Sequence, residues 1–396
     1  MKILYYSPHP ELNYSFSTGY GNHMRGMVNA FKELGHEVEL CIIGGTTKEM
    51  TSPAAAKVPF GLKNLLKKIV PHIIWSSLKD REIQKVNSAA YHTLEAKVKT
   101  FDPDLIYERA FYLMPSGCDI SEKYTIPHIV EINSPYEYEQ LLLEGKTLLT
   151  GVARKVEKKL LTQPDLVCAV SSSIKSYFLE RHPEIDEKKI IVTPNAVIGL
   201  AEKSTLAIPL KEKLNGKTVV GFVGSIFAYH GVDKLIEAFA KTNPLENNLA
   251  LLIVGNGSIL GELKQLTVDL NIAASVQFTG QIEHTLVSSY IDLMDITVLA
   301  NTEWYCSPVK LFDYGLQGKA IVAINQPGVT DVMTNNLDGL IINNNEGDLV
   351  DAINQLASDK PLRESLGTTF QKKILSQHTW KATAQKVLST LEEKLK

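Results

Sequence analysis

Twelve short apolar runs, separated by amphipathic stretches of helix length, set the narrowest limit on what this chain can fold into. This alternation builds parallel sheets covered by helices on both faces, so the fold class is α/β. In the first half the strand candidates are Lys2–Tyr6, Glu37–Ile43, Leu105–Tyr107, His128–Ile132, Leu166–Val170 and Ile190–Thr193. In the second half they are Thr218–Val223, Leu249–Val254, Val276–Phe278, Ile296–Leu299, Ala320–Ile324 and Gly339–Ile342. Six strands per half is the complement of a doubly wound domain. A length of 396 residues, at about 150 residues per domain, agrees with two such units.

The stretch 198–217 has no clear periodicity, contains Pro209 and Lys211-Glu212-Lys213, and ends in Asn215-Gly216, which marks it as a linker. The expected organisation is an N-terminal domain over 1–197, this linker, a C-terminal domain over 218–375 and a closing helix over 376–396. In that last segment Trp380, Ala384, Val387, Leu388, Leu391 and Leu395 recur at helical spacings.

Composition excludes several functions. Lys+Arg number 41 against 44 Asp+Glu, a net charge of −3, which is neither a nucleic-acid-binding nor a disordered balance. The four cysteines lie far apart with no CxxC spacing, so neither a zinc knot nor a disulfide framework is expected. No run reaches about 18 uninterrupted apolar residues and the first residues enter a strand directly, so a cytoplasmic protein without a signal peptide or membrane span is expected.

The most informative segment is Ser307-Pro308-Val309-Lys310-Leu311-Phe312-Asp313-Tyr314-Gly315-Leu316-Gln317-Gly318, placed after the strand Ile296–Leu299. Ser307 at an N-cap, Pro308 as first helical residue and Gly318 just past the end predict a helix of about three turns. Its N-terminus would open at the carboxyl ends of the strands, where parallel sheets bind ligands and where free N–H groups favour phosphate. Lys310 in the first turn opposes the helix dipole, a conflict that an anionic ligand removes. Asp313 projects near the same mouth and could accept hydrogen bonds from a ribose diol. Two further strand-to-helix turns, Gly224-Ser225-Ile226-Phe227-Ala228-Tyr229-His230-Gly231 and Gly255-Asn256-Gly257-Ser258, offer small residues for close approach of a phosphate. None carries the GxGxxG of a dinucleotide site.

These segments, VGSIFAYHGVDKLIEAF, LLIVGNGS, VQFTGQI and SPVKLFDYGLQGKAIVA, resemble in order the C-terminal domain of glycosyltransferase family 4. In the N-terminal half TGYGNHMRGMVNAFKELGHEVEL resembles the family's opening Gly-rich loop and helix, and IIVTPNAV one of its later strands. The resemblance implies a retaining enzyme of GT-B fold, with two Rossmann-like domains facing a cleft and a C-terminal helix returning to the first domain. By position it implies that Lys310 and the backbone of Ser307, Pro308, Val309 and Lys310 hold a donor diphosphate, that Asp313 binds the ribose and that Gly280, Gln281 and Ile282 frame the base. Gly224, Ser225, His230, Gly255 and Gly257 would line the phosphate turns. Gly19, Tyr20 and Gly21 would face the donor from the first domain. The family's first paired glutamate falls at Tyr305, with Glu303 two residues away, and its histidine after the fourth strand is Asn133.

Lys310, Asn133 and Glu108 are the expected catalytic residues; Glu108-Arg109 and Glu131-Asn133 follow apolar strands and should face the ligand, and His23 could reach a phosphate. Asp102-Pro103-Asp104 spells a metal-binding DxD, but its place ahead of a strand reads as a turn. No metal and no cofactor are expected, the co-substrate being a UDP- or GDP-linked sugar. Residues 57–79 carry five lysines and no acid, with Leu62, Leu65, Leu66, Ile69 and Val70 forming an apolar stripe. This is the pattern of an interfacial helix as well as of a packed one with a basic rim. The expected function is sugar transfer to a carbohydrate or lipid-linked acceptor in cell-surface polysaccharide or glycolipid synthesis, peripheral to a membrane. The alternatives are a non-catalytic nucleotide-sugar-binding or scaffold subunit and a nucleotide-sugar epimerase.

Overall fold

The computed structural model describes residues 1–16, 18–47, 71–197 and 210–396. They form two units, Met1–Thr193 with Thr383–Lys396, and Pro194–Ala382. Each is built on one six-stranded, all-parallel sheet.

In the first unit the strands are β1 (Lys2–Ser7), β2 (Glu37–Ile42), β3 (Leu105–Arg109), β4 (His128–Ile132), β5 (Leu166–Ala169) and β6 (Ile190–Val192), in the order β2-β1-β3-β4-β5-β6. In the second they are β7 (Thr218–Val223), β8 (Leu249–Val254), β9 (Val276–Phe278), β10 (Ile296–Leu299), β11 (Ala320–Ile324) and β12 (Leu340–Ile342), in the order β12-β11-β10-β7-β8-β9. All twelve expected strands are present. The second order is that of a Rossmann domain, and it reverses direction between β7 and β10. In the first sheet the reversal lies between β1 and β3. At such a switch point the connections leave to opposite sides, which opens a crevice at the carboxyl ends of the strands.

Helices cover both faces of the second sheet. Val232–Lys241 and Glu346–Ser358 bury Leu235, Ile236, Phe239, Leu349 and Ile353 on one face. Val309–Leu316 and Lys360–Gln377 bury Leu311, Phe312, Phe370 and Ile374 on the other. Residue Gly315 is where the latter two helices meet: a Cβ there would sit 2.6 Å from the Phe370 ring.

The boundary falls at Thr193–Pro194 rather than in 198–217. The reason is backbone pairing: Val197 N donates to His378 O at 2.9 Å and Trp380 N to Val197 O at 3.0 Å, which ties the chain after β6 to the second unit. Of the expected linker, 198–209 lie outside the described residues and Leu210–Leu214 is a short helix. The final helix, Trp380–Leu395, starts four residues later than the expected segment and sends Thr383–Lys396 to the first unit, where Ala384, Val387 and Leu391 are buried.

The Lys310 helix also differs from expectation. It spans Val309–Leu316, about two turns, with Pro308 at the cap position and no side-chain cap. Ser307 is not free to cap it, because its hydroxyl accepts from Asn195 N at 3.0 Å and its carbonyl from Asn195 Nδ2 at 2.7 Å. Gly318 does end the helix, with φ of +65°. Among the described residues no helix is long and apolar enough to cross a membrane.

Candidate functional site

The carboxyl ends of β7 and β10 bring together a cation, a histidine and a glycine. Lys310 reaches back from the first turn of its helix so that Nζ lies 3.2 Å from His230 Nε2 and 5.4 Å from the Phe222 ring centroid. Its stem crosses Gly224, whose φ is +150°; a Cβ there would meet Lys310 Cε at 2.3 Å. Gly224 therefore admits the lysine, in a backbone conformation that side-chain-bearing residues avoid. Among the described residues Lys310 makes no ion pair. Burial pulls its pKa down to about 8, against a smaller opposing influence of Asp313 and Cys306. Burial and the neighbouring ammonium pull His230 down to about 3. The neutral imidazole then accepts from Lys310 at Nε2 and carries its proton on Nδ1, and that buried donor has no partner among the described residues. Asp313, one turn along, is pushed up to about 6 by burial, with Lys310 opposing.

The other residues expected in this unit take graded positions. The turn after β8 packs against the turn after β7, since a Cβ on Gly255 would lie 1.9 Å from Gly224 O and one on Gly257 2.0 Å from Ile226 O. Gly255 N donates to Gly280 O at 3.0 Å, which brings in the turn after β9; Gln281 there is exposed and Ile282 half-buried against the core. Ser225 is exposed, Ser307 and Pro308 are buried, and Val309 is 44% exposed. Glu303 is half-buried on the loop after β10, while Tyr305 is buried.

In the first unit the acid that matters is Glu131, on β4. Its Oε1 accepts from Arg109 Nη1 and from Asn133 Nδ2, both at 2.6 Å. Its Oε2 accepts from Tyr107 OH at 2.7 Å and lies 2.9 Å from His23 Nε2. Burial raises the carboxyl, but His23, Arg109 and the hydrogen bonds overcome it and hold the pKa well below the ordinary value of 4.5. His23, Tyr107 and Arg109 are all buried, so the knot is closed on the side of the helix Gly19–Glu33. His23 is thus a partner of Glu131. Asn133 is half-buried at the end of β4 and is the member nearest to solvent. His9 stands over Phe111, ring centroids 3.7 Å apart, and burial with Arg109 nearby pulls it to about 4.

Glu108 does not join this site. Neighbouring residues on a strand point to opposite faces, and Glu108 lies under the helix Ser116–Tyr124, fully buried, with His128 Nε2 at 2.9 Å and Gly117 packed so close that a Cβ would meet Oε2 at 1.9 Å. Buried there and paired with His128, Glu108 is not placed for the expected catalytic role. Glu108, Cys118 and His128 place metal-capable atoms within 4.8 Å of one another, but two of the three are already joined by that hydrogen bond. Gly19, Tyr20 and Gly21 are not loop residues: they form the first turn of the helix Gly19–Glu33, capped by Thr18 Oγ1, which accepts from Gly21 N at 3.3 Å. Asp102-Pro103-Asp104 is a turn, with Asp102 at φ +51° and Asp104 Oδ2 accepting from Lys2 N at 2.7 Å.

The pairing of His230 with Lys310 and the knot around Glu131 are legible only in three dimensions, since their members lie 80 and 108 residues apart. The exposed Phe227 and Tyr229 had a signal in the sequence, two aromatics in a turn of small residues.

Comparison with known proteins gives two family matches: Glycosyltransferase Family 4 over residues 17–198 and Glycosyl transferases group 1 over residues 206–373. An uncharacterized glycosyltransferase of Methanocaldococcus jannaschii is 24% identical over 60% of this chain and 61% of its own length. The alpha-monoglucosyldiacylglycerol synthase of Streptococcus pneumoniae is 22% identical over 72% of this chain and 65% of its own. The chain thus spans less than two thirds of each of these curated relatives. Among solved structures, HepE of Anabaena in complex with UDP superposes with a TM-score of 0.69 at 16% identity, over 99% of this chain and all of that one.

Proposed function

The chain belongs to glycosyltransferase family 4 and has the GT-B fold, and from that premise we propose that it transfers a sugar from a nucleoside diphosphate sugar to an acceptor, with retention at the anomeric carbon. The observation that carries this reading is the Lys310–His230 pair. It is a half-buried cation beside a buried N–H donor, without a carboxylate ion-pair partner among the described residues, at the switch point of the second sheet. Such a group is costly to bury alone and is relieved by an anion. A diphosphate supplies that anion, and the solved complex of HepE with UDP supports the same ligand class.

In this proposal Lys310, His230 Nδ1 and the amides opening the helix Val309–Leu316 hold the diphosphate. Asp313 accepts from the ribose hydroxyls, and Gly280, Gln281 and Ile282 frame the base. As the bond to the sugar breaks, charge grows on the departing phosphate oxygen, and the fixed cation and donors stabilise it without reorganisation. No protein nucleophile is assigned, and because Lys310 supplies the positive charge the reaction is proposed to need no metal. The first unit is proposed to hold the acceptor near Asn133, oriented by Glu131.

The ribose role separates Asp313 from the phosphate groups. Asp313→Ala should weaken nucleoside diphosphate binding about ten-fold while leaving inorganic pyrophosphate within two-fold, measured by calorimetry at pH 7.5. An equal loss for both ligands would remove Asp313 from the ribose and weaken the reading.

A lipid-linked acceptor reached from a membrane surface is the second element of the proposal. Residues 57–70 lie outside the described residues, but 71–79 open the helix His72–Phe101, and there Ile73, Ile74 and Leu78 are exposed. Leu141, Leu142 and Leu143 are 49, 63 and 75% exposed on Tyr136–Glu144. Lys79 pairs with Glu144, and Ile73, Leu141, Gly145 and Thr150 border one groove of about 250 Å³. An apolar area of this kind fits an interfacial site, and the diacylglycerol in the name of the pneumococcal relative supports it. The protein should co-sediment with vesicles containing anionic lipid, and Leu142→Glu with Leu143→Glu should cut the bound fraction several-fold. Absence of lipid-dependent pelleting would contradict the membrane element alone.

A further inference from the structure

Two large aromatic side chains stand out of the turn after β7: Phe227, 40% exposed, and Tyr229, 44% exposed. Their rings are stacked, with centroids 5.8 Å apart and planes at 19°. The turn that carries them is held from both sides. Ile226 N donates to Asn256 O at 2.9 Å on the β8 side, and Asn301 Nδ2 donates to Tyr229 O at 3.0 Å on the β10 side. Gly231, at φ +65°, ends the turn against Asn301, where a Cβ would lie 2.9 Å from the asparagine Cβ. The Tyr229 ring packs on His230 with centroids 4.2 Å apart, and its phenol lies within electrostatic reach of Cys306 and Glu303. An apolar surface of two rings is thus fixed beside the Lys310–His230 pair, with Asn301 and Glu303 as polar neighbours. Rigid aromatic faces kept in water at the edge of a polar site are a means of binding flat or ring-shaped ligands.

The order of strands says which part of a ligand lies there. Across the second sheet the turns follow the order β9, β8, β7, β10. With a base at Gly280–Ile282 and a diphosphate at Gly224 and Lys310, the next group along a nucleotide sugar falls on the β10 side of β7, where Tyr229, Asn301 and Glu303 are. Resting on the function proposed above, we infer that Phe227 and Tyr229 form a shelf on which a pyranose ring lays its C–H face. The ring is either the one carried by the nucleotide or the first ring of the acceptor; the recognition chemistry is the same.

The experiment uses the full chain. UDP, GDP and ADP are titrated calorimetrically, followed by the glucose ester of the nucleotide that binds, into wild type, Phe227→Ala, Tyr229→Ala and Tyr229→Trp. Methyl α-glucopyranoside is then observed by saturation-transfer NMR on the nucleotide-loaded proteins. If the shelf holds the nucleotide's own sugar, both alanine variants lose about ten-fold in affinity for the ester, keep their affinity for the free nucleotide, and Tyr229→Trp stays near wild type. If it holds the acceptor's ring, ester affinity is kept and the saturation-transfer signal of the glucoside disappears in the alanine variants. Unchanged ester and unchanged glucoside signals in both alanine variants overturn the shelf. Retained binding of the free nucleotide shows that the variants are folded. Failure of the wild type to bind any nucleotide overturns the underlying function and the shelf with it.

Discussion

Lys310→Met should weaken nucleotide binding by a factor of about 30 or more and at the same time make the unliganded protein more stable at pH 7. The lysine is half-buried beside His230 and Phe222, and desolvation there has pulled its pKa from 10.5 to about 8. Between about pH 8 and 10.5 the unfolded chain therefore binds the proton that the folded chain gives up, so stability rises with pH through that window. Below it the folded state carries a charge that it would rather not bury. Methionine keeps most of the stem that crosses Gly224 and removes the ammonium, so Tm should rise by a few degrees, about 1 kcal/mol or less of stabilisation. Truncating one partner of a buried charge pair with the ligand should weaken nucleotide binding by about 2–5 kcal/mol, a factor of about 30 or more. Wild-type affinity should also fall as pH rises above about 8, because the neutral amine no longer meets the diphosphate. Parallel melting and calorimetric titration at pH 7 and 9 check all three statements. A variant that melts earlier and still binds would remove Lys310 from the phosphate role.

Glu131→Ala should severely destabilise the first unit. The carboxylate gathers Arg109, Asn133, Tyr107 and His23, and its loss leaves the Arg109 guanidinium buried without its acid. Breaking such a pair costs about 3–5 kcal/mol, which is a large share of the about 5–15 kcal/mol that holds a domain together. Because the folded-state pKa of Glu131 is depressed, its contribution is complete above the ordinary value of 4.5 and is lost as pH falls below it. The wild type should therefore lose stability progressively below pH 4.5, and the gap between wild type and Glu131→Gln should narrow over the same range. Denaturant unfolding followed between pH 3 and 7 measures this. A gap that does not change with pH would mean that the charge of Glu131 is not what the knot uses.

The sheets were legible because their strands are buried on both faces. A parallel strand covered by helices on each side is apolar along most of its length, so β4, β7, β8, β9, β10 and β11 begin and end where their apolar runs do. β3 shows where this reasoning stops. A run-based reading ends it at Tyr107, since Glu108 and Arg109 are charged, while the strand continues through both and pairs Arg109 with Glu131. Extending the strand by two residues sends Glu108 to one face and Arg109 to the other, which is why one joins the knot and the other does not. The cap of the Lys310 helix differs from the sequence expectation for a related reason. Ser307 has the residue type of an N-cap, but its hydroxyl accepts from Asn195, 112 residues away, and no local rule reports that competitor. Lys310 itself was legible as a cation opposed to its helix dipole, whereas its burial, its contact with His230 and its passage across Gly224 depend on the switch point between β7 and β10.

The second unit is proposed to bind a nucleoside diphosphate through Lys310 without a metal. The most direct test of that proposal is a calorimetric titration of UDP, GDP and ADP into the metal-free wild-type chain at pH 7.5, repeated in two buffers of different ionisation enthalpy. One nucleotide should bind, and the two buffers should differ by a net uptake of protons, as the diphosphate restores the charge on a lysine that is partly neutral near pH 8. Binding of none of the three, or tight binding only after a divalent cation is added, would contradict it.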